Sequence, residues 1–136
     1  MNNAYTQYKN QSLSTMGQGE LLIKVFDELI KQCRLAEIAF EEKQKGAEHD
    51  HLIKAQTIIS TLASALDERV TLSGELRSLY TFFALELRDA NLKKDGSKVS
   101  AILPLIKDLR NTFEQADKLS RSAKQPAPLG VGGQAI

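Results

Sequence analysis

The chain has 136 residues, a formal net charge of +1 and one cysteine, which fits one domain with its own core. Its lysines and arginines form no basic block, which argues against a nucleic-acid surface. No apolar run approaches the roughly 18 residues of a membrane span, and residues 1–12 lack the pattern of a secretory signal. A single cysteine, without an intrachain partner, suits a reducing cytosol.

Residues 1–14 are predicted to form a mobile N-terminal arm, because the stretch is polar and its one charge is Lys9. Two aromatic residues, Tyr5 and Tyr8, interrupt it three positions apart. Two interpretations are open. Either both rings are solvent-exposed on the arm, or a short extra helix of about one turn lays them in an apolar groove.

The first predicted helix covers residues 18–45, where apolar residues recur at the spacing of a helix packed against a core. Thr15 and Gln18 form a capping-box pattern just before it. Cys33 lies in the middle of the apolar stripe. Because no base or metal-binding pattern accompanies it, we expect a buried structural thiol.

Two further helices are predicted over residues 50–68 and 73–91, each with an apolar stripe. Asp50 is the expected cap of the first of them, with its carboxylate near the positive end of the helix. Ser73 is the expected N-cap of the other. The short links between these segments favour antiparallel neighbours.

The last predicted helix covers residues 97–120 and contains Pro104. Proline removes one backbone donor and crowds the preceding turn, so we expect a kink there, with a complete break as the alternative. Residues 124–136 are rich in proline and glycine and are predicted to be a disordered tail. Together the segments predict an all-α protein, an antiparallel up-down four-helix bundle over residues 15–123.

Some apolar residues fall outside the stripes that a core requires. Phe82 and Leu85 lie on a neighbouring face of the third helix, and Ile23 and Ile30 lie beside the stripe of the first. A helix that only covers a core has polar residues at such positions. This surplus predicts a second apolar surface that serves another purpose.

Signals for catalysis are weak. His49 and His51 alternate with Glu48 and Asp50 at one helix start, which permits weak metal binding, but a solvated helix start is the better interpretation. The sequence has no glycine-rich phosphate loop, no Cys-x-x-Cys pair and no His-Glu-x-x-His motif. No cofactor, resident metal or enzymatic activity is therefore expected.

One alternative function starts from His51. The stretch from His51 to Ala55 is similar to the His-x-x-Lys-Gly core of histidine phosphotransfer domains, which are also helical bundles. Such a histidine must be exposed in mid-helix, with a small residue four positions later that admits the partner. Ala55 lies on the predicted core stripe, which disfavours this alternative.

Short motifs from about residue 4 to residue 114 follow one another in an order and spacing that resemble the FliS family of flagellin export chaperones. The motifs that carry the resemblance are Ala4-Tyr5-Thr6-Gln7-Tyr8, Val25-Phe26-Asp27, Gly74-Glu75-Leu76, Leu79-Tyr80, Ala90-Asn91-Leu92 and Leu109-Arg110.

The resemblance implies a cytoplasmic bacterial chaperone that holds the disordered C-terminal segment of flagellin. Such binding would prevent premature polymerisation and keep flagellin competent for type III export. Docking to the export apparatus or to other flagellar regulators stays open, as does the choice between a monomer and a weak homodimer.

We predict a flagellin-binding groove, covered by Tyr5 and Tyr8 of the arm when the client is absent. The predicted lining residues are Ile23, Phe26, Ile30, Leu79, Tyr80, Phe82, Phe83, Leu85 and Asn91.

Overall fold

The structure is a computed structural model that describes residues 17–124. These residues form helices α1 (Gln18–Glu41), α2 (Ala47–Ser64), α3 (Ser73–Lys93) and α4 (Ser97–Lys124), and none of them lies in a strand. The predicted all-α class with four helices is confirmed. The predicted arm and the predicted tail beyond Lys124 lie outside the described residues. Within the described range, no helix combines the length and apolarity needed to cross a bilayer.

The described residues belong to two compact units, one of residues 24–109 and one that contains residues 17–23 and 110–124. In the second unit, a Cβ atom at Gly19 would collide with the carboxylate of Asp117. Arg121 lies 3.1 Å from that carboxylate and 3.5 Å from the carboxylate of Glu20. The missing side chain at Gly19 therefore lets the first turn of α1 approach the last part of α4 closely.

In the unit of residues 24–109, each helix buries the stripe that its sequence predicts. Burial of a large aliphatic or aromatic side chain contributes about 1.5–3 kcal/mol, so this shared core supplies most of the stability of the unit. The fully or almost fully buried residues include Phe26, Leu29, Cys33 and Ala36 of α1, Leu52, Ala55, Ile59 and Leu62 of α2, Tyr80, Phe83, Leu87 and Ala90 of α3, and Val99, Ile102, Leu103 and Ile106 of α4.

Side-chain bonds show that α3 runs antiparallel to both α2 and α4. His49, at the start of α2, has its Nδ1 atom 2.9 Å from Nδ2 of Asn91, near the end of α3. Lys98, at the start of α4, lies 3.1 Å from the carboxylate of Asp89, near the end of α3. The up-down order predicted from the short links is thus observed within this unit.

Helix α1 ends at Glu41, four residues before the predicted end, because Lys43 adopts the left-handed conformation with φ of 54°. The N–H groups of Lys43 and Gln44 donate to the carbonyls of Phe40 and Ala39. This is the Schellman pattern, which closes a helix and satisfies its last carbonyls.

Helix α2 begins at Ala47, so the prediction that Asp50 caps it is wrong. The carboxylate of Glu48 instead accepts hydrogen bonds from the N–H groups of Gly46 at 2.6 Å and His49 at 3.4 Å. The helix also ends early, at Ser64, and the carboxylate of Asp67 then accepts the N–H of Arg69 at 3.0 Å. An aspartate that bonds to the backbone two residues on favours a turn over helix continuation.

Ser73 is the first helical residue of α3 and not its N-cap, which is Leu72 without a side-chain cap. In the turn that follows α3, Asp95 Oδ1 accepts the N–H of Ser97 at 3.0 Å and its hydroxyl proton at 2.6 Å. Helices α3 and α4 extend two and four residues beyond their predicted ends.

Helix α4 runs through Pro104 without interruption, which excludes the predicted alternative of a break. Pro104 and Ser100 are both exposed. The Ser100 carbonyl, which loses its partner four residues later, can therefore accept a hydrogen bond from water.

Candidate functional site

The outer face of α2 is free of charge after Lys54. The exposed residues beyond this point are serines and threonines, and no charged residue occurs from residue 55 to residue 66. Three of their hydroxyls donate to backbone carbonyls one turn earlier, which leaves mainly methyl and methylene groups of these side chains at the surface. The bonds join Thr57 to Ile53 at 3.0 Å, Thr61 to Thr57 at 3.1 Å and Ser64 to Ser60 at 2.9 Å.

Beside this face, an open groove of about 520 Å³ runs between α2 and α3. Tyr80 and Ile59 form its floor and are almost fully buried, whereas Ile53 is 44% exposed at its rim. We call it the α2–α3 groove, and none of its lining residues is charged. They are Ile53, Gln56, Thr57, Ile59, Ser60, Ala63, Tyr80, Thr81 and Ala84.

A smaller hollow of about 310 Å³ lies on the other side of α2, toward α1. Ile53 and Thr57 line both depressions, so they form a ridge between them. In the hollow, the buried Gln32 amide donates to the carboxylate of Glu28 at 2.8 Å. The Gln32 carbonyl oxygen lies 2.8 Å from Nδ1 of His51. These bonds hold the polar wall of the hollow in place.

The side of α3 that faces α4 carries charge. Lys98 lies 3.1 Å from the carboxylate of Asp89 and 3.8 Å from that of Glu86. The bonds to Lys98 and then to Lys93 lower the pKa of Asp89, and the bond to Asp89 raises the pKa of Lys98. Helix α3 therefore contributes uncharged residues to the α2–α3 groove and carries ion pairs on the side toward α4.

Phe82 and Leu85 are 43% and 52% exposed on the outer surface of α3, outside the core stripe. The ring of Phe82 lies 5.9 Å from the buried ring of Phe83, measured between centroids. Exposed apolar side chains enlarge the surface that a partner chain could cover. Their role in binding stays a prediction.

Other predicted lining residues are buried, and their place in an open groove needs correction. Phe26 and Phe83 have no exposed surface, and Ile23 is only 8% exposed. They belong to the inward stripes, so a bound chain could not touch the two phenylalanines directly. Tyr80 packs near Phe26, with ring centroids 6.4 Å apart, yet reaches the floor of the α2–α3 groove.

The remaining predicted lining residues are partly exposed, and the two tyrosines of the arm lie outside the described range. Ile30, Leu79 and Asn91 are half-buried. The Asn91 amide also accepts a hydrogen bond from Lys94 Nζ at 2.7 Å, so it is engaged within the protein. Tyr5 and Tyr8 lie outside the described residues.

The sequence predicted α2 as a helix but not as part of the groove, although α2 supplies most of the lining residues. A signal was present, because residues 55–66 are uncharged, and a charge-free stretch of this length is unusual for a surface helix whose outer face meets only water. Periodicity alone did not reveal it, since serine and threonine count as polar in an amphipathic pattern.

Cys33 is buried, as predicted, and burial together with the nearby Glu37 raises the pKa of its thiol to about 12. A thiol with such a pKa stays protonated and unreactive. Burial likewise raises the pKa of Tyr80.

The two histidines serve structural contacts. His49 contacts Asn91 of α3, and His51 contacts Gln32 of α1, so the two rings bind to different helices. Within residues 17–124, no group of three or more potential metal ligands occurs. For phosphotransfer, His51 is half-buried in the first turns of α2, and Ala55 is completely buried. Because Ala55 is buried, the small residue that would have to admit a partner is not accessible, which disfavours the alternative function.

Comparison with known proteins agrees with the resemblance read from the motifs. A family model described as "Flagellar protein FliS" matches residues 1–120. The "Flagellar secretion chaperone FliS" of Bacillus subtilis (strain 168) is 30% identical over 131 residues, which cover 96% of this chain and 96% of the relative. The family match extends over most of the sequence, including all of α1, α2 and α3, and the chain belongs to the FliS family.

Proposed function

We propose that the protein is a cytoplasmic chaperone for flagellar secretion that binds the disordered C-terminal segment of flagellin. The observation that carries this proposal is the uncharged outer face of α2 beside the α2–α3 groove. Family membership supports the class of client, because the Bacillus subtilis relative is named a flagellar secretion chaperone. Binding, and not catalysis, is the proposed activity.

A disordered client must lose conformational freedom when it binds, which costs about 2–5 kcal/mol. Burial of apolar surface contributes about 25 cal/mol per Å². About 400 Å² of newly buried apolar surface would therefore supply about 10 kcal/mol before the loss of translational freedom is counted. A long apolar surface meets this requirement, whereas a few surface ion pairs would not.

An amphipathic helix of the client fits this surface best. The part of the uncharged stretch that lies in α2, residues 55–64, extends about 15 Å, the length of a helix of about 10 residues. Such a helix would place apolar side chains at positions i, i+3 or i+4, and i+7 against the groove. Its own polar face would stay in water.

This binding mode explains how a chaperone could hold flagellin before export. A client segment whose apolar face lies in the groove is not available for contacts with another flagellin subunit. Because no covalent step is involved, release needs only a competing contact or unfolding of the client.

The predicted arm enters the proposal as a competitor for the same apolar surface. Tyr5 and Tyr8 would cover it while no client is bound. Deletion of residues 1–10 should then raise the client's affinity or its association rate. An unchanged affinity and an unchanged rate would remove the arm from the proposal without affecting the groove.

Calorimetric titration with a peptide from the C-terminal end of a flagellin tests the proposal. We expect saturable binding and a negative heat-capacity change, the signature of apolar burial. A scrambled peptide of the same composition is the control and should bind much more weakly. Equal binding of both peptides, or no saturable binding of the native one, would contradict the proposal.

A further inference from the structure

A third depression, of about 410 Å³, lies where α1 ends, α2 begins and α3 ends. Its floor is apolar, with Ala39 completely buried and Phe40 half-buried. Three lysines surround this floor. We call it the lysine pocket, and its lining residues are Ala39, Phe40, Lys43, Lys45, Gly46, Glu48 and Lys94.

Two of these lysines occupy backbone positions that lysine does not favour. Lys43 and Lys94 are left-handed, with φ of 54° and 52°, and they are the positive-φ residues other than glycine within the described range. Lys43 closes α1 and Lys94 closes α3. After Lys94, the N–H of Asp95 donates to the carbonyl of Ala90 at 2.9 Å.

Glycine or asparagine usually fills this helix-closing position, because the left-handed conformation brings the Cβ atom of other residues too close to the backbone. Helix closure therefore does not explain lysine at either position. Both exceptions line the same pocket, which points to a use for their side chains.

The negative charge in the pocket is already satisfied. Burial alone would raise the pKa of Glu48, but the N–H groups of Gly46 and His49, together with the charge of Lys94, lower it overall. Lys94 Nζ also donates to Asn91. By contrast, the ammonium groups of Lys43 and Lys45 make no hydrogen bond or ion pair with any residue from 17 to 124.

We propose that the lysine pocket binds an acidic segment of a partner protein. One apolar side chain of the segment lies against Ala39 and Phe40, and neighbouring carboxylates pair with the three lysines. The apolar floor suits the apolar side chain of the segment, and the unpaired ammonium groups of Lys43 and Lys45 at the rim suit its carboxylates.

The surrounding charges favour a peptide over a membrane or a nucleic acid. Glu41, Glu42 and Asp50 are exposed close to the pocket in sequence. They would repel a continuous polyanionic surface, whereas a short segment with a few carboxylates can avoid them. The pocket is thus suited to a local motif.

The lysine pocket is separate from the α2–α3 groove and shares no lining residue with it. Along α3, Lys94 follows Ala84 by ten residues, which is about 15 Å. A partner in the pocket and a client in the groove could therefore be bound together. The inference does not depend on the proposed function.

NMR titration of the full, isotope-labelled chain tests the proposal. The probe is a blocked hexapeptide with a leucine-phenylalanine pair flanked by two aspartates on each side. The pocket variant combines Lys43→Asn, Lys45→Gln and Lys94→Asn, because asparagine tolerates the left-handed conformation. The control variant, Lys24→Gln with Lys31→Gln and Lys118→Gln, removes the same charge from exposed lysines elsewhere.

We expect saturable shifts at the amides of Ala39, Gly46 and Lys94, and about tenfold weaker binding to the pocket variant than to the control variant. Equal binding to the two variants would overturn the proposal, as would shifts confined to other residues or no saturation. Binding that is as strong for a peptide with serines in place of leucine and phenylalanine, for anionic vesicles or for a short RNA would also overturn it. A flagellin peptide that binds both variants equally would show that the groove is intact.

Discussion

The outer faces of α1 and α2 differ in charge, although both helices bury similar stripes in the same unit. Between Lys24 and Glu41 of α1, every exposed residue except Ile38 is charged, whereas the exposed residues of α2 after Lys54 are serine or threonine. A core constrains only the inward stripe of a helix. The outward residues reflect what the surface meets, which is water for α1 and, in our account, a client chain for α2.

Helices α1 and α2 pack on a common core, and substitution of Phe83 should destabilise that core. Phe83→Ala should destabilise the protein by about 3–5 kcal/mol, because the ring is completely buried. Its neighbour Phe82 is 43% exposed, so Phe82→Ala should change stability by no more than about 1 kcal/mol. Urea denaturation measures both. Equal losses for the two variants would show that the inner and outer faces of α3 are assigned wrongly.

Charges placed on α2 would remove the difference between the two faces. Thr57→Glu combined with Ser60→Glu should lower the affinity for a flagellin C-terminal peptide about hundredfold, because the client would bury unpaired carboxylates. The helical circular dichroism should stay unchanged, since both residues are exposed.

The matched control places the same residue type on α1, with Lys31→Glu and Arg34→Glu. It should leave the affinity within about threefold of the original, because surface charges far from the contact act weakly. An equal loss for both double variants would mean that net charge, and not the α2 face, governs binding.

Phe82→Asp tests how far the docking surface extends across α3. We expect about tenfold weaker binding of the flagellin peptide with the helical signal intact, because an exposed apolar contact is replaced by a charge. Unchanged affinity would confine the docking surface to the side of α3 that faces α2. A loss of helicity would instead assign Phe82 to the core.

The smallest expected effect concerns the ion pairs of α3, which contrast with the uncharged residues that the same helix contributes to the α2–α3 groove. The pKa of Asp89 is lowered in the folded state by Lys98 and then by Lys93. Its stabilising contribution is therefore present above the unfolded pKa of about 3.9 and is lost as the pH falls through the lower folded pKa. Urea midpoints below about pH 4 should depend less on pH in Asp89→Asn than in the original protein.

Glu41→Gln is the control for that measurement, because its exposed carboxylate makes no ion pair within residues 17–124. This variant should keep nearly the full acid dependence. If Asp89→Asn also keeps it, the Asp89–Lys98 pair does not contribute to stability in acid.

The sequence was sufficient to predict the number of helices and their buried stripes, because a 3.6-residue period follows directly from helix geometry. The ends were harder to predict where backbone and side chains compete. Glu48, and not Asp50, meets the free N–H groups at the start of α2, and the left-handed Lys43 closes α1 early. Such closures depend on local energies of about 1 kcal/mol, which residue type alone does not resolve.

The site was predicted in part. Exposure of Phe82 and Leu85 followed from their positions outside the stripe, but depth could not be inferred for Phe26 and Phe83, which are fully buried. The α2–α3 groove depends on which helices are neighbours and on where serine and threonine hydroxyls donate. Neither feature is contained in a one-dimensional pattern of apolar residues.

Two isoleucines allow a direct test of the proposal that the flagellin segment binds at the α2–α3 groove. Ile53 lies beside the α2–α3 groove and Ile38 lies on the outer face of α1, and they are 44% and 43% exposed. The measurement is methyl NMR of both side chains during titration with a flagellin C-terminal peptide. Our account predicts a saturable shift of the Ile53 methyl groups and none at Ile38, and a shift at Ile38 with Ile53 unchanged would contradict it.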